Sequence, residues 1–439
     1  MLPKRIQLAP PQLLILFFAF FILLGAILLK LPIATKEPIS WIDALFTITS
    51  ATTVTGLTSV DTGTTYTLFG QTIIMLWIQI GGLGIMSFAI LIFIMLGKKI
   101  GFKERVLIQQ SLNQTSFGGV IRLVVNLFAF AFIIEIIAVI FLAIRWVPEF
   151  GVAQGLYFSF FHAVSAFNNA GFGLLPDNLM KYVGDPIVNI VITSLFIIGG
   201  LGFTVLIDLH NKRRWKKLSL HSKLMILGTL LLNALSMIII LLLEMDNPKT
   251  LGALDWSEKL WGSYFQGVSP RTAGFNTIDV TALKDSTAFY MMLLMFVGAG
   301  SASTGGGIKL TTFLIIVLSV FTYLKGKEDI QVFKRTIDNK LVFKALAITM
   351  ISLLFIFVAA FILTITEKAP FVKIIFEVIS AFGTVGLTMG LTFQLTAIGK
   401  LVIIFMMSIG KLGPLTLAFS LARREHSKIG YPKEDVLAG

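Results

Sequence analysis

Long apolar stretches constrain the fold of this 439-residue chain more than any other feature. An α-helix needs about 20 mainly apolar residues to cross the hydrocarbon core of a bilayer. Stretches of that kind cover residues 12–31, 70–97, 120–147, 186–208, 222–244, 286–324, 341–366 and 396–421. Only 13% of the residues are charged, about half the share of a soluble domain. We therefore expect an all-α integral membrane protein with eight transmembrane helices.

Shorter apolar runs lie between the long stretches, at residues 40–52, 154–167, 258–269 and 371–382. Each run has about a dozen residues, which is too short to span a bilayer. Such runs suit re-entrant half-helices, because non-helical backbone at membrane depth must be buried inside protein or line a water-filled cavity. The sequence thus predicts a long helix, a short helix, an extended loop and a second long helix, repeated four times.

Glycines mark the repeat. A related five-residue string follows each short run and contains Gly56, Gly171, Gly274 or Gly386. An aromatic residue stands ten positions before each glycine (Phe46, Phe161, Tyr264 and Phe376). A second glycine motif follows each string, at 81–84, 199–202, 298–301 and 410–413. We interpret the chain as a single-chain pseudo-tetramer whose pore repeats cover residues 1–97, 98–208, 209–324 and 325–439, the third with a broken inner helix and the fourth ending in a short cytoplasmic tail.

Charge sets the orientation. The segments 1–11, 98–122, 208–223, 309–344 and 422–439 hold 24 Lys and Arg against 8 Asp and Glu. Positive residues favour the cytoplasmic side, so we expect a multi-pass protein of the cell (plasma) membrane with both termini in the cytoplasm. The net charge of +13 is then a topology signal and not evidence for nucleic acid binding.

Four re-entrant loops around one axis would place backbone at the centre of the molecule. Carbonyl oxygens can replace the hydration shell of a cation, and glycine lets backbone approach the ion closely. The short helices would point the negative ends of their dipoles at that centre. The repeat therefore predicts a cation pathway.

Two further features suggest a gate. Five glycines between Gly298 and Gly307 should break the third inner helix. This tract lacks the Gly-Lys-Ser/Thr ending and the preceding strand of a nucleotide-binding loop. Lys411 interrupts an apolar run at a cost of about 2.5–3.5 kcal/mol, so we expect it to face the pathway. A lysine that reaches the membrane surface remains the alternative.

The sequence resembles the Trk/Ktr/HKT superfamily of potassium transporters, and most closely the membrane subunit of bacterial Ktr systems. The resemblance covers nearly the whole chain. Its motifs are Trp41–Phe46, Ala51–Leu57, Ser165–Phe172, Ser269–Phe275 and Ser380–Leu387.

This resemblance implies potassium uptake through a selectivity filter whose backbone carbonyls bind K⁺. The implied filter residues are Val54, Thr55, Gly56, Asn169, Ala170, Gly171, Thr272, Ala273, Gly274, Thr384, Val385 and Gly386. The implied gate is Gly300, Ser301, Ala302, Ser303, Thr304, Gly305, Gly306, Gly307 and Lys411, where the family usually has arginine at the last position. Glycine at the first filter position favours potassium over sodium.

The resemblance also implies a homodimer in the lipid bilayer with a cytosolic ring of nucleotide-binding (RCK-type) regulatory subunits on its cytoplasmic face. It implies no tightly bound organic cofactor and leaves a dependence on Na⁺ open. A sodium-permeable or poorly selective transporter, a membrane enzyme and a structural anchor are the alternatives, although no catalytic constellation is evident. For Glu135, His162 and Glu377, we favour structural hydrogen bonding over a role in ion binding.

Overall fold

The computed structural model describes residues 10–85, 87–88, 120–414 and 434. The helices of these residues are α1 (Pro10–Leu29), α2 (Trp41–Thr53), α3 (Leu68–Leu83), α4 (Val120–Phe150), α5 (Val152–Phe167), α6 (Pro186–Leu201), α7 (Phe203–Lys212), α8 (Leu220–Glu244), α9 (Trp256–Val268), α10 (Asp285–Phe296), α11 (Leu310–Leu324), α12 (Asn339–Thr366), α13 (Phe371–Gly383) and α14 (Ala397–Leu412). Single helical turns cover Thr62–Thr65, Met180–Tyr182, Trp215–Lys217, Leu251–Ala253, Val280–Ala282 and Thr392–Gln394.

One small hairpin departs from the expected all-helical fold. Strands β1 (Ile330–Val332) and β2 (Arg335–Ile337) pair antiparallel between α11 and α12, with Val332 opposite Arg335. The turn residues Phe333 and Lys334 both have positive φ, at 50° and 60°, as tight two-residue hairpin turns require.

Four helices in the described part of the chain are long and apolar enough to cross a membrane, namely α1, α4, α8 and α12. A fifth span arises if α6 and α7 count as one helix bent by 92°. Large apolar side chains on the outer faces of the long helices are exposed, for example Phe20, Ile144, Leu231 and Phe357. A bilayer would solvate such surfaces, so the expectation of a mostly helical membrane protein is confirmed at this level.

The remaining long apolar stretches are interrupted, where we had expected a break only in the third repeat. Gly84, Gly202 and Gly413 directly follow helices α3, α6 and α14, with φ angles of +92°, +98° and +87°. Glycine permits this backbone at little steric cost. Helices α10 and α11 are separated by residues 297–309. The 97/98 repeat boundary and the basic tail after residue 414, apart from Glu434, lie outside the described residues.

The short helices form the centre of the molecule. Helices α2, α5, α9 and α13 begin at half-exposed ends and become buried toward their C-termini. Each contributes a fully buried phenylalanine (Phe46, Phe161, Phe265 and Phe376), and α5 and α13 each add a second, Phe167 and Phe382. Helix α14 of the last repeat packs against α2 of the first, which brings the two ends of the described chain together around this centre.

Candidate functional site

The four aligned glycines share one unusual backbone conformation. Their φ angles are +92° at Gly56, +69° at Gly171, +75° at Gly274 and +94° at Gly386. The residues two positions earlier, Val54, Asn169, Thr272 and Thr384, also have positive φ, from 50° to 74°. Positive φ is uncommon outside glycine and costly for β-branched residues. Strain repeated four times at one centre is typical of a functional site.

These glycines form a closed ring, which we call the glycine ring. A Cβ atom added to Gly56 would lie 2.5 Å from the carbonyl oxygen of Ala170, and one added to Gly171 would lie 3.0 Å from that of Ala273. In the same way, Gly274 faces the carbonyl of Val385, and Gly386 faces that of Thr55. Each glycine therefore adjoins the carbonyl that precedes the next glycine, and the fourth returns to the first.

Hydrogen bonds attach the ring to the ends of the short helices. The backbone N–H groups of Thr55, Ala170 and Val385 donate to the carbonyls of Ser50, Ser165 and Ser380 at 2.8–2.9 Å. The hydroxyls of Ser50 and Ser380 also accept from the N–H groups of Gly56 and Gly386, at 3.0 and 3.2 Å. The negative ends of α2, α5 and α13 thus meet at the ring, where a cation would be stabilised.

The third repeat is one residue shorter at this junction, which corrects the gapless alignment expected from the sequence. Ala273 N–H donates to the carbonyl of Ser269 at 2.9 Å, four residues back, whereas the other repeats use the residue five back. Phe265 is fully buried where Tyr264 was expected, and Tyr264 is half-buried. The glycine remains in the ring because the turn absorbs the missing residue.

The second glycine motif allows close packing against the same helix ends. A Cβ atom on Gly81, Gly199 or Gly410 would collide with the carbonyl oxygen of Thr52, Phe167 or Phe382, each in the last turn of a short helix. Only glycine fits a backbone approach of this kind. These glycines therefore hold α3, α6 and α14 directly against α2, α5 and α13.

The loop of residues 298–307 lies against the glycine-ring segments. The Thr304 hydroxyl donates to Asn169 Oδ1 at 2.8 Å, and the Gly306 N–H donates to Thr384 Oγ1 at 2.8 Å. A Cβ atom on Gly305 would meet the side chain of Thr272. The loop thus contacts the positive-φ side chain in three of the four ring segments, and the fourth, Val54, has no polar group to offer.

The other side of the loop is fixed to the α6–α7 bend. Gly300 N–H donates to the carbonyl of Gly200, and Phe203 N–H donates to that of Ala302, both at 2.8 Å. The loop is closed at its base by the Gly298 N–H, which donates to the carbonyl of Ile308 at 2.9 Å. Residues 300–307 of the expected gate therefore form one ordered loop with defined partners.

Two lysines contact this loop. Lys411 Nζ donates to the carbonyl of Thr304 at 2.6 Å, and Lys309 Nζ donates to that of Gly305 at 2.7 Å. Neither makes an ion pair in the part of the chain that is described. We did not select Lys309 from the sequence, although it interrupts an apolar stretch just as Lys411 does.

The three other polar residues singled out from the sequence hydrogen-bond to nearby helices and loops. Glu135 Oε1 accepts from Gln79 Nε2 at 3.0 Å, which joins α4 to α3. His162 Nε2 accepts from the Leu174 N–H at 3.4 Å. Glu377 accepts from the Thr388 hydroxyl at 2.7 Å and also from the hydroxyl of Thr392. His162 and Glu377, at one repeat position, therefore hold the chain segment that follows the ring glycine.

An ion pair at the rim joins the first repeat to the last. Lys400 Nζ lies 2.6 Å from Asp43 Oδ1, and the hydroxyls of Ser40 and Ser59 also donate to this carboxylate. Partial burial alone would raise the pKa of Asp43, but these hydrogen bonds and the charge of Lys400 outweigh it, so the pKa is lowered. Sequence reasoning could not find this pair, because its members are 357 residues apart.

Comparison with known proteins gives a consistent result. The family model described as "TrkH: Cation transport protein" matches residues 11–428. The chain is 58% identical to Ktr system potassium uptake protein B of Bacillus subtilis, over 99% of this chain and 98% of the relative. It is 42% identical to the Potassium/sodium uptake protein NtpJ of Enterococcus hirae, over 99% and 98%.

A solved structure has the same fold. The potassium transporter TrkH from Vibrio parahaemolyticus superposes with a TM-score of 0.74 and 19% identity, and the match covers 96% of this chain and 86% of that one. At this identity the likeness concerns the fold alone. Since the family model covers nearly the whole chain, the chain belongs to the TrkH family of cation transport proteins and is an ion transporter, not an enzyme.

Proposed function

We propose that this protein takes up potassium across the cell membrane, as the membrane subunit of a Ktr-type system. The observation that carries the proposal is the glycine ring, in which four backbone segments meet with no room for a side chain. Carbonyl oxygens in such an arrangement can replace the water around a cation. The relatives from Bacillus subtilis and Vibrio alginolyticus are both named Ktr system potassium uptake protein B, which supports potassium as the ion.

In this proposal the ring is the selectivity filter. The carbonyl-bearing residues are Val54, Thr55, Gly56, Asn169, Ala170, Gly171, Thr272, Ala273, Gly274, Thr384, Val385 and Gly386. The converging ends of α2, α5 and α13 add negative potential there. Unequal side chains and the shorter third segment make the four sides of the filter different, which suits fewer ion sites than an identical four-fold filter would have.

Residues 300–307 with Lys411 form the gate in this proposal. The loop lies between the glycine-ring segments and the α6–α7 bend, and its hydrogen bonds to Asn169 and Thr384 hold it in place. The ammonium group of Lys411 both fixes the loop and repels a cation. Opening then requires that these contacts break together.

The finer architecture and the partners also belong to the proposal. It assigns eight transmembrane segments, four re-entrant pore helices and repeats at residues 1–97, 98–208, 209–324 and 325–439, with both termini in the cytoplasm. The excess of lysine and arginine in the expected cytoplasmic segments supports that orientation. The proposal also includes a homodimer. The basic cytoplasmic segments would form the surface on which a cytosolic RCK-type ring docks.

A transporter that admits sodium as well is the second candidate. The observation in its favour is the 42% identity to the Potassium/sodium uptake protein NtpJ of Enterococcus hirae. The two candidates differ in the ratio of K⁺ to Na⁺ permeation, which a flux measurement gives directly.

The test is uptake of ⁸⁶Rb⁺ into a bacterial strain that lacks its own potassium uptake systems. The full chain is expressed together with its regulatory subunit, and competition by K⁺ and by Na⁺ is measured in parallel. We expect growth at low potassium and Rb⁺ uptake that K⁺ inhibits far more strongly than Na⁺. Equal inhibition by both ions favours the second candidate, and correctly inserted protein without any uptake refutes both.

A further inference from the structure

Arg271 is a buried cation without a matching anion. It directly precedes Thr272 of the glycine ring, and its side chain is only 8% exposed. Its guanidinium donates from Nη1 to Asn233 Oδ1 at 3.1 Å and from Nη2 to Thr229 Oγ1 at 3.5 Å. Both partners are neutral residues of α8. Within the described residues no carboxylate pairs with it, and a buried charge normally requires a partner.

The two side chains that bond the guanidinium are neutral, and each also carries a hydrogen-bond donor. Arg271 Nε is buried and has no hydrogen-bond acceptor among the residues that the structure describes. Asn233 Oδ1 accepts from the guanidinium, and the amide nitrogen of the same side chain is a donor. The Thr229 hydroxyl oxygen also accepts from the guanidinium, so the hydroxyl proton is directed away from Arg271. An amide, a hydroxyl and a guanidinium nitrogen, all of which can donate, thus line one pocket.

These three side chains border a small cavity of about 20 Å³, which is room for one small ion or one water molecule. The remaining wall is apolar or small and comes from Phe196, Ile197, Gly200, Val268 and Ala299. Water bound there would need acceptors for its own protons, whereas the Asn233 and Thr229 side-chain oxygens of this lining already accept from the guanidinium. The charge balance and the donor set therefore both favour a small anion over water.

We propose that this cavity binds a monovalent halide, chloride under ordinary conditions, held by Arg271, Asn233 and Thr229. Its effect on transport rests on the proposed function. An uncompensated guanidinium beside Thr272 repels a cation in the filter, and a bound anion cancels that repulsion. Chloride would then act as an accessory ion that strengthens potassium binding without entering the pathway.

Binding is tested by thermal unfolding of the purified full chain in detergent. Potassium concentration and ionic strength are held constant while gluconate is replaced by chloride or bromide. A ligand that binds the folded state raises the unfolding midpoint in proportion to ln(1 + [L]/Kd). We expect the midpoint of the wild type to rise with the logarithm of halide concentration above Kd, and bromide anomalous scattering beside Arg271 in crystals grown with bromide.

Asn233→Asp is the decisive variant, because it places a carboxylate of the same shape next to the guanidinium. We expect it to abolish the halide response and to raise the midpoint in gluconate. Thr229→Val should weaken the response several-fold without removing it. The matched control, Asn276→Asp, adds a carboxylate at a half-exposed position away from the cavity and should keep the wild-type response. A wild type without a halide-specific shift, or an unchanged shift in Asn233→Asp, overturns the proposal.

Transport separates this proposal from the proposed function. In proteoliposomes, replacing chloride by gluconate should weaken the apparent Rb⁺ affinity of the wild type several-fold and leave that of Asn233→Asp unchanged. Normal uptake without halide binding refutes the anion site and leaves potassium uptake standing. Halide binding by a chain that carries no Rb⁺ refutes the proposed function and leaves the anion site standing.

Discussion

Lys411 donates a hydrogen bond to the carbonyl oxygen of Thr304, with 2.6 Å between Nζ and the oxygen. The two residues are 107 positions apart, one at the end of α14 and the other in the 298–307 loop. The Thr304 hydroxyl in turn donates to Asn169 at 2.8 Å. Thr304 therefore links the lysine of the last repeat to a glycine-ring segment of the second repeat.

Replacing Lys411 by methionine should open the pathway. The substitution keeps a long unbranched side chain but removes the bond to Thr304 and the positive charge. A hydrogen bond from a charged group contributes about 1.5–3 kcal/mol, and about 1.4 kcal/mol changes an equilibrium tenfold. We expect Rb⁺ uptake in the absence of the regulatory subunit to rise about tenfold. Lys411→Arg, which retains charge and donors, is the control and should stay close to the wild type. Lower or unchanged uptake by well-expressed Lys411→Met contradicts the assigned role.

Thr304→Val should produce a smaller change of the same sign. Valine keeps the shape and the backbone carbonyl, so the bond from Lys411 remains while the bond to Asn169 is lost. A neutral hydrogen bond contributes about 1 kcal/mol, which corresponds to about a fivefold rise in basal uptake. Ser303→Ala is the matched control, because the Ser303 hydroxyl bonds to Gly300 within the loop and does not reach the ring. If both variants raise uptake equally, the contact with Asn169 has no special part in closure.

Gly56→Ala should damage the proposed filter. The added Cβ would lie 2.5 Å from the Ala170 carbonyl oxygen, at a residue whose φ is +92°. We expect at least a tenfold loss in the preference of uptake for K⁺ over Na⁺. The control is Gly151→Ala, since Gly151 has a similar φ of +81° but no atom near its Cβ position. It should show the cost of backbone strain alone, with selectivity intact. An equal effect of the two substitutions on selectivity would argue against the glycine ring as the filter.

Asp43→Asn should destabilise the protein at neutral pH by about 2 kcal/mol, because hydrogen bonds to a charged group are lost. The pKa of Asp43 is lowered by folding from its ordinary value of 3.8. The stabilisation is therefore fully present above about pH 4 and is lost as the pH falls through the lower folded-state pKa. The difference in unfolding midpoint between wild type and variant should shrink below pH 4.

A more exposed pair provides the control for this measurement. Lys181 pairs with Glu149, and the lysine side chain is 69% exposed. Lys181→Gln should cost less than about 1 kcal/mol. An Asp43→Asn midpoint that equals the wild type at pH 7 would mean that the first and last repeats do not depend on this contact.

The sequence predicted the glycine positions at the centre of the molecule better than the turns, helix breaks and long-range contacts around them. The register of four glycines was visible because glycine is required wherever backbone approaches backbone, and that need recurs at a fixed place in each repeat. The missing residue in the third repeat was not visible, because alignment on Gly274 cannot reveal how many residues the preceding turn uses. Tyr264 was therefore selected in place of Phe265.

The breaks in the first, second and fourth inner helices and the long-range pairs were beyond the reach of sequence patterns. Gly84, Gly202 and Gly413 each follow apolar residues that continue a helical pattern, and only the packing at the helix end shows that the helix stops there. The bond between Lys411 and Thr304 depends on how two repeats are placed in space. Hydropathy predicted that Lys411 would face the pathway, but it carried no information about the acceptor.

The closed order of contacts in the glycine ring has a consequence for how such a chain can change over time. In a channel assembled from four identical subunits, one substitution appears on all four sides at once. Here each side is encoded separately, so a substitution alters a single quadrant and leaves its three neighbours in place. One difference between quadrants is Val54, where the other three segments have a polar residue. A fused chain can acquire such differences one at a time.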